Sequence, residues 1–340
     1  MDKIFKQDCN YILENININK FYKKKILILG GNGFFATYIQ AVLTFTNCNI
    51  TSISRNKPKG LFKKIYKNKN IKFIRMDLNN QKKFDSIMKK KFDYVFHCAT
   101  YGQPKKWIGN EWATINLNIN ILKSILDSSV KFRSKVLFLS SASVYKVPKN
   151  NSFLNENSEL GTGTFFNEMI YANSKIIGEK LCEYYNKKNK IPVYVVRPAH
   201  TYGPGQNFKD PRVIPQLLKR VIVEKKIYLY DSGKTVRTWC YISDLIIMLF
   251  NIIIKGKSLT YNVSGNDHLS IFQIAKTISK LNNNIPIKIK SKNLKFTSSR
   301  PSILKVSSNK YKREFKPKNN ISFINGIKRL IEWNINWRKK

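Results

Sequence analysis

The sequence predicts an α/β protein built on a doubly wound parallel sheet, with a smaller C-terminal α/β lid over the sheet's carboxyl edge. Three observations carry that reading. Short strand-like runs alternate strictly with helical stretches as far as residue 198. Those runs are apolar throughout instead of alternating, the pattern of parallel strands covered on both faces. Of the 340 residues 42% are hydrophobic, with 17 Tyr and 21 Phe. That is enough for a full core and excludes disorder as the main state.

Each element follows in turn. Residues 1–23 form an N-terminal extension, with one amphipathic helix around residues 4–16. Lys25–Leu29 is a first strand that runs into Gly30-Gly-Asn-Gly33 and then a helix ending near Thr46. Asn49–Ser54 and Ile71–Arg75 are the second and third strands. A helix at 81–90 leads to a fourth strand, Tyr94–His97. Residues 111–130 read as one long helix, and 135–140 as the fifth strand. A loop rich in Asn, Gly and Thr (146–166) precedes a helix at 167–187 and a sixth strand at 192–197. Beyond Pro198, Gly, Pro and turn residues interrupt shorter elements, with helices near 212–223, 245–254, 270–281 and 321–333. The chain thus divides into an extension (1–23), a main α/β unit (24–198) and a C-terminal part (199–340), some of whose segments return to the main sheet.

Composition narrows the function classes. Lys and Arg number 62 against 20 Asp and Glu, a formal net charge of +42. Of these cations 51 are Lys and 11 Arg, and Asn and Ile are abundant too, the residue set of an AT-rich coding sequence. The charge therefore points to genome bias more than to a basic partner surface. No basic-aromatic motif accompanies it, so no nucleic-acid partner is expected. Five scattered cysteines without a Cys-x-x-Cys pair and three dispersed histidines indicate neither a disulfide framework nor a metal site. Asp2, Asp8 and Glu14 at the N-terminus are wrong for a signal peptide. The most apolar run, 245–254, is half a membrane span and reads as a buried helix. A soluble cytoplasmic protein without membrane association is expected.

Two constellations carry chemistry. The first is Gly30-x-x-Gly33-x-x-Ala36 between a strand and a helix. Glycine there lets the backbone approach a pyrophosphate, and the helix start offers its free N–H groups. Gly30, Gly33, Phe34 and Phe35 are the candidate contacts; an ordinary tight βα turn is the alternative. At the end of the second strand, Ser54-Arg55-Asn56 stands where an acidic residue would bind the ribose hydroxyls of NAD. Arg55 can instead pair with a 2′-phosphate, which favours NADP while leaving NAD open. Asp77, followed by Leu78, is a candidate adenine contact, with a helix N-cap as the alternative.

The second is Tyr171-x-x-x-Lys175. Positions i and i+4 share a helix face, so the ammonium sits beside the phenol and lowers its pKa. A tyrosinate so poised takes a proton from a hydroxyl while hydride leaves the same carbon. In a chain so rich in Lys the spacing recurs by chance, at Tyr101, Tyr145, Tyr184 and Tyr230. Context selects Tyr171. It lies in the helix after the fifth strand, thirty residues beyond Ser141, which follows that strand at the carboxyl edge where ligands bind. Ser141 would hydrogen-bond the same substrate oxygen; a satisfied turn serine is its alternative.

Gly30-Gly-Asn-Gly-Phe-Phe-Ala36, His97-Cys-Ala99, Ser140-Ser-Ala-Ser-Val-Tyr145 and Tyr171-Ala-Asn-Ser-Lys175 together resemble the extended short-chain dehydrogenase/reductases. Arg197-Pro-Ala-His-Thr-Tyr-Gly-Pro-Gly205 and Arg237-Thr-Trp-Cys-Tyr-Ile-Ser-Asp244 extend the likeness, over residues 24–335, to their nucleotide-sugar epimerase/dehydratase branch. The resemblance implies a Rossmann-like dinucleotide-binding unit at 24–198 and a mainly substrate-binding lid at 199–340. It implies bound NAD or NADP, contacted also by Ala99 and Lys175, and a nucleoside-diphosphate sugar as substrate. Ser141, Tyr171 and Lys175 would be the catalytic triad. Arg237 and Arg300 would hold the diphosphate, as guanidinium groups do, with Arg212 near the base and His200 at the substrate. A homodimer through the helices near 111–130 and 167–187 is implied as well.

Departures refine the reaction. Members that dehydrate carry Asp-Glu after the catalytic hydroxyl, and decarboxylating members keep the Glu; here Ala142 and Ser143 stand there. That pattern is closer to 4-epimerases and 4-keto reductases, whereas Asp210-x-Arg212-Val and the His200-Thr-Tyr-Gly context resemble a decarboxylase-like subgroup. His200 replaces the usual Asn, with a structural histidine as its alternative. The expected function is NAD(P)-dependent hydride transfer at a sugar carbon, C4 above others, by an epimerase or 4-keto reductase in surface polysaccharide precursor synthesis. The alternatives are a UDP-glucuronate decarboxylase-like enzyme and a non-catalytic dinucleotide-fold binding protein.

Overall fold

A computed structural model describes residues 2–102, 108–148, 150–161, 166–206, 208–290, 303–318 and 320–338. The first half runs α1 (Lys3–Glu14), β1 (Lys25–Leu29), α2 (Phe34–Leu43), β2 (Asn49–Ser54), β3 (Ile71–Arg75), α3 (Gln81–Met88), β4 (Tyr94–His97), α4 (Glu111–Asn118), α5 (Asn120–Phe132) and β5 (Lys135–Leu139). Then come β6 (Phe153–Leu154), α6 (Phe166–Asn189), β7 (Val193–Pro198), β8 (His200–Tyr202), α7 (Val213–Ile222), β9 (Ile227–Leu229), β10 (Val236–Tyr241) and α8 (Ile242–Lys255). Last are β11 (Thr260–Val263), β12 (Asp267–Ser270), α9 (Ile271–Lys280), β13 (Ile287–Ile289), β14 (Ile303–Val306), α10 (Asn309–Phe315) and α11 (Phe323–Arg338).

Seven parallel strands form the central sheet in the order β11-β7-β5-β4-β1-β2-β3. The chain leaves β1 toward β2 and β3, then crosses back to β4 and continues outward through β5, β7 and β11. The reversal opens a crevice at the carboxyl ends of β1 and β4, the place where such sheets bind ligands. Successive residues of one strand feed opposite cores. Ile26 and Ile28 join the apolar cluster under α1, α2 and α8, while Leu27 and Leu29 join the cluster under α3, α5 and α6. This two-sided burial is why the strands carry no polar alternation. A smaller sheet, β12-β10-β14-β6 with β8 beside β10, and a two-stranded β13-β9 ribbon complete the architecture.

One expectation changes. The single helix at 111–130 is two helices, α4 and α5, interrupted at Ile119 (φ −117°, ψ −69°). The interruption lies beside a close contact with α6: a side chain at Gly178 would meet the Asn118 carbonyl at 2.8 Å, and Asn118 Nδ2 donates to Ser174 Oγ at 2.9 Å. The sheet's seventh strand, β11, comes from beyond residue 198.

The N-terminal extension is packed. Asp2 caps α1 by accepting from Ile4 N at 3.0 Å, and Ile4, Phe5, Cys9 and Ile12 are buried against the main core. The apolar run at 245–254 lies inside α8, buried along most of its length. No helix among the described residues is long and apolar enough to cross a membrane.

Candidate active site

The glycine turn after β1 is set by its conformation and by a close approach. Gly30 has φ +78°, and a Cβ there would lie 2.8 Å from Ala99 Cα and 2.9 Å from Ala99 N, beyond β4. Gly30 and Ala99 are therefore brought together across the crevice. Gly33 is exposed and opens α2 without a side-chain cap, and a Cβ there would meet the Gly30 carbonyl at 2.9 Å. The first-turn N–H groups of α2 are thus left for an anion, so the residues present fit a dinucleotide's pyrophosphate. Phe34 and Phe35 are half-buried, their rings 5.7 Å apart.

Around that turn lie the other candidate cofactor contacts. Arg55 is exposed at the end of β2, where its Nη1 donates to Tyr101 Oη at 3.2 Å and its guanidinium lies 5.7 Å from that ring's centre. Asp77 is exposed and accepts from the backbone N and side-chain Nδ2 of Asn79, both at 2.9 Å. The helix-cap alternative for Asp77 is corrected: Asn80 caps α3, accepting from Lys83 N at 3.1 Å. Leu78 is buried.

Ser141 follows β5 and caps a short turn at Ala142–Val144, accepting from Ser143 N at 3.1 Å and Ser143 Oγ at 2.9 Å. Tyr171 and Lys175 sit one turn apart on α6, both buried. The Ser141 hydroxyl hydrogen-bonds Tyr171, so the structure brings Ser141 and Tyr171 together. Lys175 Nζ donates to the Leu139 carbonyl at 2.6 Å, 4.6 Å from the centre of the Phe138 ring and 5.9 Å from that of Tyr171.

The expected lowering of the phenol is reversed. Burial raises Tyr171 above its ordinary 10, and the neighbouring Ser141 and Thr100 hydroxyls only moderate the rise. Burial likewise brings Lys175 down to about 7, against the opposing pull of Cys98, Glu179 and Cys182. Beside it, burial first and the Lys175 charge second hold His97 down at about 3. His97 is therefore neutral; its Nε2 is 2.8 Å from the Leu117 carbonyl and so carries the proton.

The candidate substrate residues divide. Arg237 is buried on β10, its Nη1 donating to the Val236 carbonyl at 2.8 Å. His200 is exposed on β8, in register with Trp239 of β10 and edge-to-face on its ring at 5.3 Å. Arg212 caps α7, and its guanidinium is already held by Asp210, with Nε at 2.9 and 3.0 Å from the two carboxylate oxygens and Nη2 on Oδ2. Arg300 lies outside the described residues.

Sequence reasoning missed a buried polar chain behind this site. Ser140 Oγ donates to Glu179 Oε1 at 2.5 Å, and Arg197 binds both Glu179 oxygens (Nε at 3.0 and 3.2 Å, Nη2 at 2.5 Å). Arg197 Nη1 continues to Tyr145 Oη at 2.9 Å, and Tyr145 Oη donates to Asn262 Oδ1 at 2.6 Å. The signal was present: Glu179 repeats the i+4 step from Tyr171 and Lys175 in a chain poor in acids.

Residues 26–264 match the NAD dependent epimerase/dehydratase family. The chain is 30% identical over 277 residues to the bifunctional polymyxin resistance protein ArnA of Wigglesworthia glossinidia brevipalpis, 77% of this chain but only 42% of that relative's length. Over 332 residues it is 25% identical to a UDP-N-acetyl-alpha-D-glucosaminuronate decarboxylase of Bacillus cytotoxicus, 92% of this chain and 98% of the relative. Its fold is similar to that of a UDP-glucose 4-epimerase of Thermotoga maritima solved with UDP-glucose, at a TM-score of 0.80 and 18% identity, covering 93% of this chain and all of that one. With two thirds of its length under the family match and the glycine turn and Ser-Tyr-Lys set in place, the chain belongs to the NAD dependent epimerase/dehydratase family.

Proposed function

We propose that this protein transfers hydride at a sugar carbon, C4 above others, of a nucleoside-diphosphate sugar, as an epimerase or 4-keto reductase. The observation that carries the reading is Ser141 and Tyr171 hydrogen-bonded at the carboxyl edge of the sheet, with Lys175 one helical turn away. A bound NAD or NADP supplies the hydride acceptor or donor. The α2 N-terminus with Gly30 and Gly33 would hold its pyrophosphate, with Arg55, Asp77, Leu78, Ala99 and Lys175 as further contacts. Tyr171 Oη accepts the proton of the reacting hydroxyl, and Ser141 Oγ steadies that oxygen by hydrogen bonding. The Lys175 ammonium stabilises the phenolate form of Tyr171 that takes this proton, and the transfer leaves Tyr171 a neutral phenol.

Arg237 and Arg300 would hold the substrate diphosphate, with His200 and the Asp210–Arg212 pair near the nucleoside. Residues 24–198 then serve the dinucleotide and most of 199–340 the sugar nucleotide. Ala142 and Ser143 supply no carboxyl group after Ser141, which disfavours dehydration. Arg55 favours NADP, and with it the reductase. The decarboxylase relative, matched along nearly its whole length, supports decarboxylation as the second reading. A homodimer through α4–α6 fits their exposed apolar side chains, with Trp112 82%, Tyr184 52% and Ile177 47% exposed.

The test is to denature the purified protein, identify released nucleotides by mass spectrometry, and assay a panel of sugar nucleotides with and without NADPH. Retained NAD with turnover that needs no added cofactor indicates an epimerase, and strict NADPH dependence a reductase. Release of carbon dioxide from a sugar acid indicates the decarboxylase. No released nucleotide and no turnover on the panel would refute the enzyme reading.

A further inference from the structure

Glu179 sits behind the proposed site, 5% exposed, four residues beyond Lys175 on α6 and therefore on the same helix face. Three donors of two residues fix its carboxylate: Ser140 Oγ, next to Ser141, and the Nε and Nη2 of Arg197. Arg197 is itself anchored by Tyr145, and through it to Asn262, whose Nδ2 donates to the Leu154 and Ser307 carbonyls at 3.2 and 3.1 Å. The end of β5, the middle of α6, β7 and β11 are thus tied together by one carboxylate and its partners.

We infer that Glu179 is a positioning residue for the proposed site: held by Ser140 and Arg197, its carboxylate is the counter-charge of the Lys175 ammonium. The inference rests on the Ser141–Tyr171–Lys175 reading above. Lys175 is 1% exposed and has the Leu139 carbonyl and the Phe138 ring beside its Nζ, neither of which carries a formal charge. The titratable groups around it are His97 and Cys98 at the end of β4, and Tyr171, Glu179 and Cys182 on α6 itself. His97 is neutral above about pH 3. Burial raises Cys98 to about 12, and raises Cys182 and Tyr171 also, so all three are uncharged near neutrality. That leaves Glu179, paired with Arg197, as the anion that opposes the burial cost of the Lys175 charge.

The experiment follows the titration of Lys175 directly in the full chain. Protein labelled with ¹³C at lysine Cε is titrated by NMR, and the Lys175 signal is assigned by its loss in Lys175→Met. Native Lys175 should titrate near 7, far below the surface lysines. In Glu179→Gln the midpoint should fall by about one pH unit, and the alkaline limb of any turnover profile should fall with it. Because Glu179→Gln strands a buried guanidinium and can unfold the chain, Glu179→Gln/Arg197→Gln is measured beside it. A midpoint that stays within about 0.3 pH unit of native in folded Glu179→Gln, or within the same margin of Arg197→Gln in the double variant, overturns the inference. A fall in midpoint in a protein that turns over no sugar nucleotide supports the counter-charge and tells against the proposed reaction, so the two fail separately.

Discussion

Replacing Asp8 by Asn should change how the stability of the protein depends on pH. Asp8 of α1 is fully buried, and it accepts from Tyr38 Oη at 3.1 Å, from Tyr241 Oη at 2.9 and 3.1 Å, and from Arg329 Nη1 at 2.7 Å. Burial is the largest influence on its carboxyl and carries it from 3.8 to about 6, against Tyr241, Arg329 and Tyr38. A carboxyl raised by folding holds its proton more tightly in the folded chain than in the unfolded one. Between pH 4 and 6 the folded state therefore binds more protons, and stability falls as pH rises. A rise of about two units corresponds to about 3 kcal/mol, present in full well below pH 4 and gone above the folded value. Asp8→Asn keeps an acceptor for the tyrosines, and Arg329, whose side chain is 32% exposed, can still reach water. Urea unfolding of both proteins at pH 4, 5, 6 and 7 gives the native-minus-variant stability at each pH. That difference should fall by about 2 kcal/mol across the series, because at pH 4 the unfolded carboxyl is already more than half ionised. Asp244, raised to about 7 chiefly by burial, has the same sign but is common to both proteins and largely cancels. A difference that is flat, or that grows with pH, would refute burial as the dominant influence on Asp8.

Gly30→Ala should lower stability by about 1–2 kcal/mol for the left-handed backbone and by a further ~1–3 kcal/mol for the contact with Ala99. Calorimetry that finds a native Tm would mean the turn opens at no cost. Tyr171→Phe should leave sugar-nucleotide affinity within a few-fold of native while turnover drops by about 10²–10⁴; unchanged turnover removes Tyr171 from the proton transfer. Arg55→Ser should lower the NADP-to-NAD affinity ratio by about tenfold or more, the worth of a charge-assisted bond. Titration calorimetry with both dinucleotides measures it, and an unchanged ratio would show that Arg55 does not read the 2′-phosphate.

What the sequence disclosed depended on how far apart the deciding contacts lie. The strands of the main unit were legible because both faces of each are buried, so Ile26, Leu27, Ile28 and Leu29 needed no partner to be recognised. The glycine turn is a local pattern and was legible for the same reason, whereas the Tyr171–Lys175 pair was picked out only by its order in the chain. The interruption at Ile119 was not, because it answers to Gly178, some sixty residues on. Strand β11 was hidden by its brevity and by Asn262, whose polarity serves Tyr145, Leu154 and Ser307. The rise of the Tyr171 phenol was out of reach as well: helical spacing set the Lys beside the Tyr, but tertiary burial, invisible in spacing, decides the sign.

The surplus of cations and the scarcity of acids pull in opposite directions as information. With 51 lysines a Tyr-x-x-x-Lys match means little, and chain order had to select among five. With only 20 acids, each one placed out of water is costly unless partnered, so its location is informative. The buried acids among the described residues bear this out: Asp2 caps α1, Asp8 joins α1 to Tyr38, Tyr241 and Arg329, and Glu179 joins β5 to Arg197. Asp210 holds Arg212, and Asp244 takes Ile321 N and Tyr11. Three of the five join segments far apart in sequence, and Glu179 and Asp210 stand beside residues proposed for the site. In so basic a chain the acids are the better guide to tertiary structure. In the sequence Asp8 serves only as an argument against a signal peptide, and Glu179 is not singled out. The burial of each is met by donors far off in sequence, Tyr38, Tyr241 and Arg329 for Asp8 and Ser140 and Arg197 for Glu179.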